Sequence, residues 1–357
     1  MKKEWELKSL GDVCEINTGK WDANHAMEGG TYRFYTCAKE YYFCETKRFS
    51  GECLILPGNG VNVGDVYYYN GEFDAYQRTY VLSNIKASAR FVYYHMLYYW
   101  QTRNINKQFG SATNFIKIGN FLNYKISLPP LPEQQKVVAI LEKSFTALAT
   151  AKENAEKNLQ NSRELFESYL QSVFTNPGDE WEEKKLGEII KLEYGKPLPN
   201  SKRKSDGVYP VYGANGEKDR SNEYYYDKYS IIVGRKGSAG EINLTEERFW
   251  PLDVTYFVTF DLKKHDLYFI YYILNHLKLH KLAKGVKPGI NRNEVYSIDV
   301  HIPPLSEQRD IVVKLNELSA ETKKLEAIYQ QKLNDLEELK KSILQKAFKG
   351  ELIGVQL

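Results

Sequence analysis

Histidine is the side chain that most often carries acid–base or metal chemistry near neutral pH, so the six histidines of the chain are its first candidates for an active site. None of them has a histidine counterpart in the other half of the chain. His276 and His280 are four residues apart, as on a zinc-protease helix, but Leu277 stands where such a helix carries its glutamate. The sequence also lacks a GxxxxGK[ST] phosphate loop and an Asn-Pro-Pro-aromatic methyltransferase motif. These residues predict no active site, no metal and no cofactor in this chain.

The cysteines offer little more. Cys14, Cys37, Cys44 and Cys53 all lie in the first 53 residues, and no two have the close spacing of a structural zinc site. We expect reduced, mostly buried thiols. A zinc site is the minor alternative, and a disulfide is disfavoured in a cytoplasmic protein.

Two glycine-rich segments carry binding chemistry instead. Residues 58–64 read Gly-Asn-Gly-Val-Asn-Val-Gly, and residues 234–240 read Gly-Arg-Lys-Gly-Ser-Ala-Gly, each after an apolar run typical of a strand. Glycines let backbone amides approach a phosphate, while Asn, Arg and Lys can reach base edges. A second pair of polar segments, at residues 111–117 and 284–292, offers the same donor types. Either segment alone could be an ordinary hairpin turn.

The chain contains an internal repeat that places these segments at matching positions. Residues 128–135 read Leu-Pro-Pro-Leu-Pro-Glu-Gln-Gln, and residues 302–309 read Ile-Pro-Pro-Leu-Ser-Glu-Gln-Arg. The prolines require extended backbone, and the residues after them favour the first turn of a helix. Upstream, Trp5 recurs as Trp181 and Gly19 as Gly195, each 176 residues later. One scaffold therefore occurs twice with divergent loops, and loops on a fixed scaffold are where binding specificity usually resides.

A long helix follows each copy of the proline motif, over residues 132–174 and about 306–349. Apolar residues alternate in steps of three and four, which is a coiled-coil seam, interrupted in the first helix by Lys152 and Ser162. A helix of this length measures about 60 Å. We expect the two helices to pack antiparallel, with the globular domains at opposite ends and related by a pseudo-twofold axis. The alternative is that each helix packs on its own domain or on another protein.

The predicted fold class is α+β, with two mixed, β-rich domains separated by the antiparallel pair of long coiled-coil helices. Short apolar runs bounded by Gly, Pro and Asn indicate strands, and a helix is predicted over residues 89–101 with a counterpart over 267–282. The predicted boundaries are 1–130 for the first domain, 131–176 for the first helix, 177–304 for the second domain, and 305–357 for the second helix and tail.

Composition narrows the class of protein. The chain has 357 residues, is 42% hydrophobic and 27% charged, and has a net charge of +3, which is typical of a globular protein and does not by itself indicate nucleic acid. No apolar run is long enough to span a membrane or to form a signal-peptide core, so we expect a cytoplasmic protein. The 28 tyrosines suit strands and cores, and secondarily a recognition surface.

The order of motifs resembles that of one family. Residues 209–216 (Tyr-Pro-Val-Tyr-Gly-Ala-Asn-Gly), 231–240, 249–256 and 303–308 are similar to the specificity subunit of type I restriction-modification systems, and the likeness extends over both repeats. The resemblance implies two target recognition domains, each binding one half of a bipartite, asymmetric double-stranded DNA site, with the helices setting the spacer. It also implies two methyltransferase (modification) subunits that use S-adenosylmethionine to methylate adenine, and ATP- and Mg-dependent motor-nuclease (restriction) subunits.

The candidate DNA-binding residues carry amide, hydroxyl, phenol or cationic groups in or beside the predicted loops. In the first domain they are Lys20, Asn59, Asn62, Gln77, Arg78, Asn114 and Lys117; in the second they are Lys196, Lys202, Arg203, Tyr212, Asn215, Arg235, Lys236, Ser238, Asn291 and Arg292. Two other functions stay open at this point. The chain could be a coiled-coil adaptor whose ends bind proteins or carbohydrates, or a fused enzyme, although the missing motifs argue against the latter.

Overall fold

The computed structural model describes residues 5–104 and 114–352. The candidate loop residues 111–113 and both ends of the chain therefore lie outside the described residues. The chain forms two compact units, the first made of Met1–Glu156 with Gln331–Leu357 and the second of Lys157–Gln330. Each unit contains one copy of the repeat and one half of each long helix. The predicted domain boundaries remain a prediction.

The first copy of the repeat begins with a strand and ends with a long helix. Its elements are β1 (Glu6–Ser9), α1 (Leu10–Val13), β2 (Glu15–Thr18), β3 (Tyr32–Tyr35), β4 (Tyr42–Cys44), β5 (Glu52–Pro57), β6 (Tyr67–Asn70), β7 (Phe73–Ala75), β8 (Thr79–Ser83), α2 (Ala89–Asn104), α3 (Ile118–Leu122), β9 (Lys125–Leu128) and α4 (Leu131–Thr175). The predicted helices over 89–101 and 132–174 are confirmed.

The second copy has the same order of elements. They are β10 (Glu182–Lys185), α5 (Leu186–Ile189), β11 (Ile190–Tyr194), β12 (Tyr209–Gly213), β13 (Gly216–Ser221), β14 (Ser230–Gly234), β15 (Ile242–Thr245), β16 (Trp250–Pro251), β17 (Thr255–Phe260), α6 (Leu267–His276), α7 (Arg292–Tyr296), β18 (Asp299–Ile302) and α8 (Leu305–Phe348). The helix predicted over 267–282 ends at His276 and is followed by a 3-10 turn at Leu279–Leu282.

The sheets of the two units have matching strand orders. Within the described residues, the larger sheet is β2-β8-β5-β6 in the first unit and β11-β17-β14-β15 in the second. The smaller sheets are β4-β3-β7 and β13-β12-β16, and the terminal strands pair as β1 with β9 and β10 with β18. Because this pairing is nonlocal and occurs twice, the α+β class and the internal repeat are both confirmed.

The core of each unit lies between the larger sheet and its helices. In the first unit, Leu54 and Leu56 of β5 pack with Phe91 of α2 and with the ends of the long helices, among them Val137 and Phe348. In the second, strand β14 and helix α6 pack in the same way with Leu170 and Leu315. The long helices thus contribute to each domain core as well as to their own seam.

The repeated Pro-Pro motif connects each long helix to its domain through two polar side chains. Gln308 is fully buried; its Oε1 accepts from the Asp266 backbone N–H at 2.9 Å, and its Nε2 donates to the Pro303 carbonyl at 2.9 Å and the Lys264 carbonyl at 3.2 Å. Asp266 is the N-cap of α6, accepting two first-turn amides. The buried Gln134 repeats this contact, accepting from Ser88 at 2.9 Å and donating to Pro129 at 2.7 Å.

The glutamate before each of these glutamines holds a tryptophan. The indole Nε1 of Trp5 donates to Glu133 at 2.9 Å, and that of Trp181 donates to Glu307 at 2.8 Å. The motif is therefore a structural joint between the strand that opens each domain, the domain's main helix and the long helix. Its regular recurrence reflects folding rather than ligand binding.

The two long helices pack antiparallel in each unit. In the first unit, Phe145 lies under the Lys340 ammonium group at 5.6 Å, and Lys152 pairs with Glu337 at 3.0 Å. In the second unit, Arg163 pairs with Glu326 at 3.1 Å, and Leu170 shares a core cluster with Leu315. The internal pairing expected from the seams is confirmed.

The seam differs from the prediction at two positions. Leu339 follows the apolar spacing predicted for the seam but is half exposed, whereas Leu336 and Ile343 are partly buried. Ser162, expected to be a polar interruption, is buried, and its hydroxyl donates to the Asn158 carbonyl at 2.7 Å within its own helix. A small residue that satisfies its hydroxyl locally can therefore occupy a buried seam position.

The cysteines are free thiols, and Cys14, Cys44 and Cys53 are buried, as expected. Burial raises the pKa of the Cys14 thiol to about 12. No helix in the described part of the chain combines the length and the apolar character needed to cross a membrane.

Candidate nucleic-acid interface

The glycine-rich loop of the second unit follows β14 and is fixed by backbone contacts. A Cβ on Gly234 would lie 2.0 Å from the Ser238 carbonyl oxygen, and Gly237 has a φ of +82°, so both positions require glycine. The Gly237 N–H donates to the Pro288 carbonyl at 2.8 Å. This hydrogen bond joins the loop to the segment 284–289, and brings together two segments that the sequence had marked separately.

Arg235 is held against the protein rather than extended into solvent. Its Nε and Nη2 donate to the Asp253 carbonyl at 3.2 and 2.7 Å. The guanidinium lies 5.3 Å from the ring of Tyr194 and 5.9 Å from that of Tyr256, and Arg292 lies 5.1 Å from the Tyr194 ring. The pKa of Tyr256 is raised, mainly by burial and secondarily by the neighbouring Tyr194, and the two arginines oppose that rise. Tyr194, which is partly exposed, is therefore flanked by two cations.

Lys236 has a different environment. Its backbone forms a bridge with Gly289, its side chain is exposed, and among the described residues its ammonium group has no ion-pair partner. Beside it, Lys284 and Gly289 exchange hydrogen bonds of 3.0 and 3.1 Å, which close a tight turn whose tip, Val286, is fully exposed. This loop cluster therefore presents the exposed ammonium group of Lys236 beside an apolar tip.

The candidates Ser238, Asn291 and Arg292 belong to the same cluster. The Ser238 carbonyl accepts from the Glu241 N–H at 3.4 Å. The Asn291 side chain accepts from the Asn293 N–H at 2.9 Å, which caps the short helix α7. Asn291 keeps its amide N–H groups available, since a capping oxygen uses only the acceptor side of the amide.

The corresponding loop of the first unit follows β5 and encloses a small cavity. The Gly58 N–H donates to the Arg78 carbonyl at 2.9 Å, and the Gly60 N–H donates to the Asn114 carbonyl at 2.8 Å. A cavity of about 280 Å³ is lined by Gly58, Asn59, Gln77, Arg78, Tyr80, Phe115 and Ile116. The structure thus brings Asn59, Gln77 and Arg78 to one site, which Asn114 adjoins through its hydrogen bond with Gly60.

Two candidates of the first unit form hydrogen bonds within the fold, and a third is exposed. The Asn62 amide donates to the Cys37 carbonyl at 2.8 Å, which fixes the loop. Gln77 donates to the Asp22 carboxylate. Lys20 is exposed beside the bridge between Trp21 and Tyr76.

The remaining candidates of the second unit surround the smaller sheet. Lys202 pairs with Glu223 at 2.9 Å, and both Nε and Nη2 of Arg203 donate to the Leu198 carbonyl. Tyr212 packs against Phe249 at 6.0 Å, and burial raises its pKa. Asn215 is exposed in the turn between β12 and β13, and the carbonyl of the exposed Lys196 accepts from the Trp250 indole at 3.0 Å.

A basic depression in the first unit escaped the sequence analysis. Arg103, Lys117 and Lys125, with Gly119, Asn120, Asn123 and Tyr124, line a volume of about 580 Å³. The Arg103 guanidinium lies 3.9 Å from the ring of Tyr99 and donates to the Lys125 carbonyl at 2.9 Å. Only Lys117 was predicted, because Arg103 lies outside the polar segments that the sequence marks. The aromatic neighbour Tyr194 was also missed, since its repeat counterpart is Thr18.

The two loop clusters offer cations, amide groups and aromatic faces. Such groups suit phosphate oxygens and base edges. Among the described residues, no group of three or more His, Cys, Asp or Glu side chains is placed to hold a metal ion.

Comparison with known proteins identifies related chains. The family model for the "Type I restriction modification DNA specificity domain" matches residues 2–159 and 178–338. The type I restriction enzyme EcoDI specificity subunit of Escherichia coli is 27% identical, and the alignment covers 98% of this chain and 89% of that protein.

Two solved structures are similar in fold. A chain from "Structural basis underlying complex assembly and conformational transition of the type I R-M system" has a TM-score of 0.80 at 18% identity and covers 99% of both chains. The crystal structure of the HsdS subunit from Thermoanaerobacter tengcongensis has a TM-score of 0.61 at 18% identity and covers 99% of this chain and 98% of that chain.

Proposed function

Because the chain belongs to the type I restriction-modification DNA specificity family, we propose that each of its two repeated domains binds one half of a bipartite, asymmetric site in double-stranded DNA. The observation that carries this proposal is the difference between the two loops on one scaffold. Both follow a central strand of the larger sheet, yet one reads Pro-Gly-Asn-Gly and the other Gly-Arg-Lys-Gly. Two divergent loops on matching folds are what an asymmetric target requires.

The proposed interface consists of the loop clusters around Asn59 and Lys236. The cationic and backbone groups would contact phosphates, and a few amide or ammonium groups would contact base edges. We retain all of the predicted contact residues as proposals. Those whose polar groups are used internally, such as Asn62 and Arg203, would act mainly by holding the loops in place.

In this proposal the chain is a non-catalytic subunit, and its long helices set the spacer and dock two methyltransferase (modification) subunits. Those partners would use S-adenosylmethionine to methylate adenine, and ATP- and Mg-dependent restriction subunits would complete the complex. The proposed division is 1–130 and 177–304 for the recognition domains, with 131–176 and 305–357 as helices and tail. Domain cores that share residues with both helices support this arrangement.

The direct test is to select duplexes from a random DNA library with the full chain bound to its methyltransferase subunit. The expected result is a motif in two parts with a fixed gap. Mapping of methylated adenines in genomic DNA, with and without this protein, should return the same motif. Selection without any preferred sequence would refute DNA recognition and favour a coiled-coil adaptor.

The spacer role has a separate test. Deleting residues 150–156 and 333–339 removes one heptad from each helix at the same level of the antiparallel pair. This deletion retains the Phe145–Lys340 and Arg163–Glu326 contacts. Each helix becomes shorter by about 10 Å, or about three base pairs, so methylation should no longer be confined to the original gap. The control removes only residues 150–156, which breaks the pairing. Methylation restricted to the original gap would show that the helices do not set it.

A further inference from the structure

The two glycine-rich loops can be aligned residue by residue from their backbone contacts. Pro57 pairs with Thr79 in the first unit, and Gly234 pairs with Thr255 in the second; these threonines are repeat counterparts. Gly58 therefore corresponds to Arg235, and Asn59 to Lys236. The isolated bridges give the same answer independently, since Asn59 pairs with Phe115, and Lys236 with Gly289.

The first position of this pair is internal to the fold. In the second unit, the Arg235 side chain donates twice to the Asp253 carbonyl and lies near the Tyr256 ring. In the first unit Gly58 has no side chain, and the counterparts of those neighbours, Gln77 and Tyr80, line the cavity of about 280 Å³. One domain thus carries an arginine at this position, and the other a glycine beside a cavity.

The second position is accessible in both units, on the surface for Lys236 and at the cavity for Asn59. Lys236 is exposed and Asn59 half-buried, and neither side chain is hydrogen-bonded to another side chain or carbonyl within the described residues. The preceding residue is fixed in each unit, because the Ile116 N–H donates to the Gly58 carbonyl at 2.9 Å and the Ile290 N–H donates to the Arg235 carbonyl at 3.1 Å. The following glycine is fixed as well, through the hydrogen bonds of the Gly60 and Gly237 N–H groups described above. An available side chain on a fixed backbone is the arrangement that base discrimination needs.

We infer that Asn59 and Lys236 occupy the same reading position of the two domains, and that Asn59 selects an adenine and Lys236 a guanine in the major groove. A guanine presents two acceptors, O6 and N7, to a lysine ammonium group, whereas adenine presents an N7 acceptor and an N6 donor that match an asparagine amide. The inference rests on the proposed function. It assigns to Arg235 the role of a positioning residue that holds the loop.

The experiment exchanges the two side chains in the full chain, with the methyltransferase subunit bound. Lys236→Asn should change one position of one half-site from G to A, and Asn59→Lys should change one position of the other half-site from A to G. The relative affinity for the two bases should shift by about tenfold or more at that position. An unchanged base preference in both variants would overturn the inference. So would equal weakening on all sequences with a smaller salt dependence, which indicates a phosphate contact.

A measurement on the DNA side does not depend on the folding of a variant. With the wild-type chain, 7-deazaguanine placed at each guanine of the selected site removes the N7 acceptor, and binding should weaken several-fold at the guanine that Lys236 contacts. Lys236→Ala should bind the duplex substituted at that guanine and the unsubstituted duplex equally. Equal binding of every substituted duplex by the wild-type chain would also overturn the inference. A wild-type chain that selects no sequence would instead refute the proposed function, so the two failures are distinguishable.

Discussion

Gln308→Leu tests whether the repeated Pro-Pro motif is a structural joint. The side chain is 0% exposed and connects three backbone groups, namely the Asp266 N–H and the carbonyls of Pro303 and Lys264. Leucine has a similar volume but cannot form these bonds, so three polar groups lose their partner at about 1 kcal/mol or more each. The free energy of unfolding of the second unit should fall by about 3 kcal/mol.

The repeat supplies a matched comparison. Among the described residues Gln134 connects two backbone groups, the Ser88 N–H and the Pro129 carbonyl, so Gln134→Leu should cost about 2 kcal/mol in the first unit. Its exposed neighbour Gln135 is the control, because Gln135→Leu makes the same chemical change and should alter stability by less than about 0.5 kcal/mol.

Urea unfolding followed by circular dichroism measures these differences, and two transitions are expected if the units unfold separately. Hydrogen exchange gives the local test, since Gln308→Leu should accelerate exchange of the Asp266 amide and Gln134→Leu that of the Ser88 amide. If both amides keep their protection and the midpoints match that of Gln135→Leu, the glutamines do not hold the helix caps, and the explanation of the motif is wrong.

Two further predictions concern buried groups. The pKa of His95 is lowered to about 3, mainly by burial and secondarily by the positive charge of Arg103. Between about pH 6.5 and 3 the unfolded chain therefore takes up a proton that the folded chain does not, and stability falls as the pH is lowered. His95→Gln should reduce the stability difference between pH 7 and pH 5 by about 2 kcal/mol in urea titrations, and an unchanged difference would exclude this histidine. Gly195→Ala should lower the free energy of unfolding by more than about 2 kcal/mol, because the new Cβ would lie 2.0 Å from the Leu252 carbonyl oxygen. The control is Gly119→Ala, whose Cβ would have no neighbour closer than 3.9 Å, and it should be neutral or slightly stabilising. Thermal melts compare the two variants, and equal melting temperatures for Gly195→Ala and Gly119→Ala would contradict the prediction.

The parts of the fold with a regular period were predictable from the sequence. Steps of three and four placed the long helices within a residue or two of Leu131–Thr175 and Leu305–Phe348, because a helix imposes one spacing on its buried face. The repeat was predictable for a similar reason, since its anchors are residues such as Gly195 that tolerate no side chain against a neighbouring backbone.

Partners far apart in the chain were not predictable. The glutamates of the motif suit the positive end of a helix, but Glu133 and Glu307 also accept from the indoles of Trp5 and Trp181. These pairs are 128 and 126 residues apart, and no local pattern encodes such a separation. The hydrogen bonds from Arg235 to the Asp253 carbonyl were not predictable either. A residue of any type can offer a backbone carbonyl, so the sequence does not mark the acceptor.

This distinction explains how the two loops could diverge while the scaffold was retained. The contacts that fix both loops are made largely to backbone groups, as in the hydrogen bonds from Tyr80 to the Ile116 carbonyl and from Tyr256 to the Ile290 carbonyl. A contact to backbone places no demand on the side chain of the residue that accepts it. Positions such as Asn59 and Lys236 can therefore differ without loss of the fold, so that a change in the sequence read need not be accompanied by compensating changes in the core.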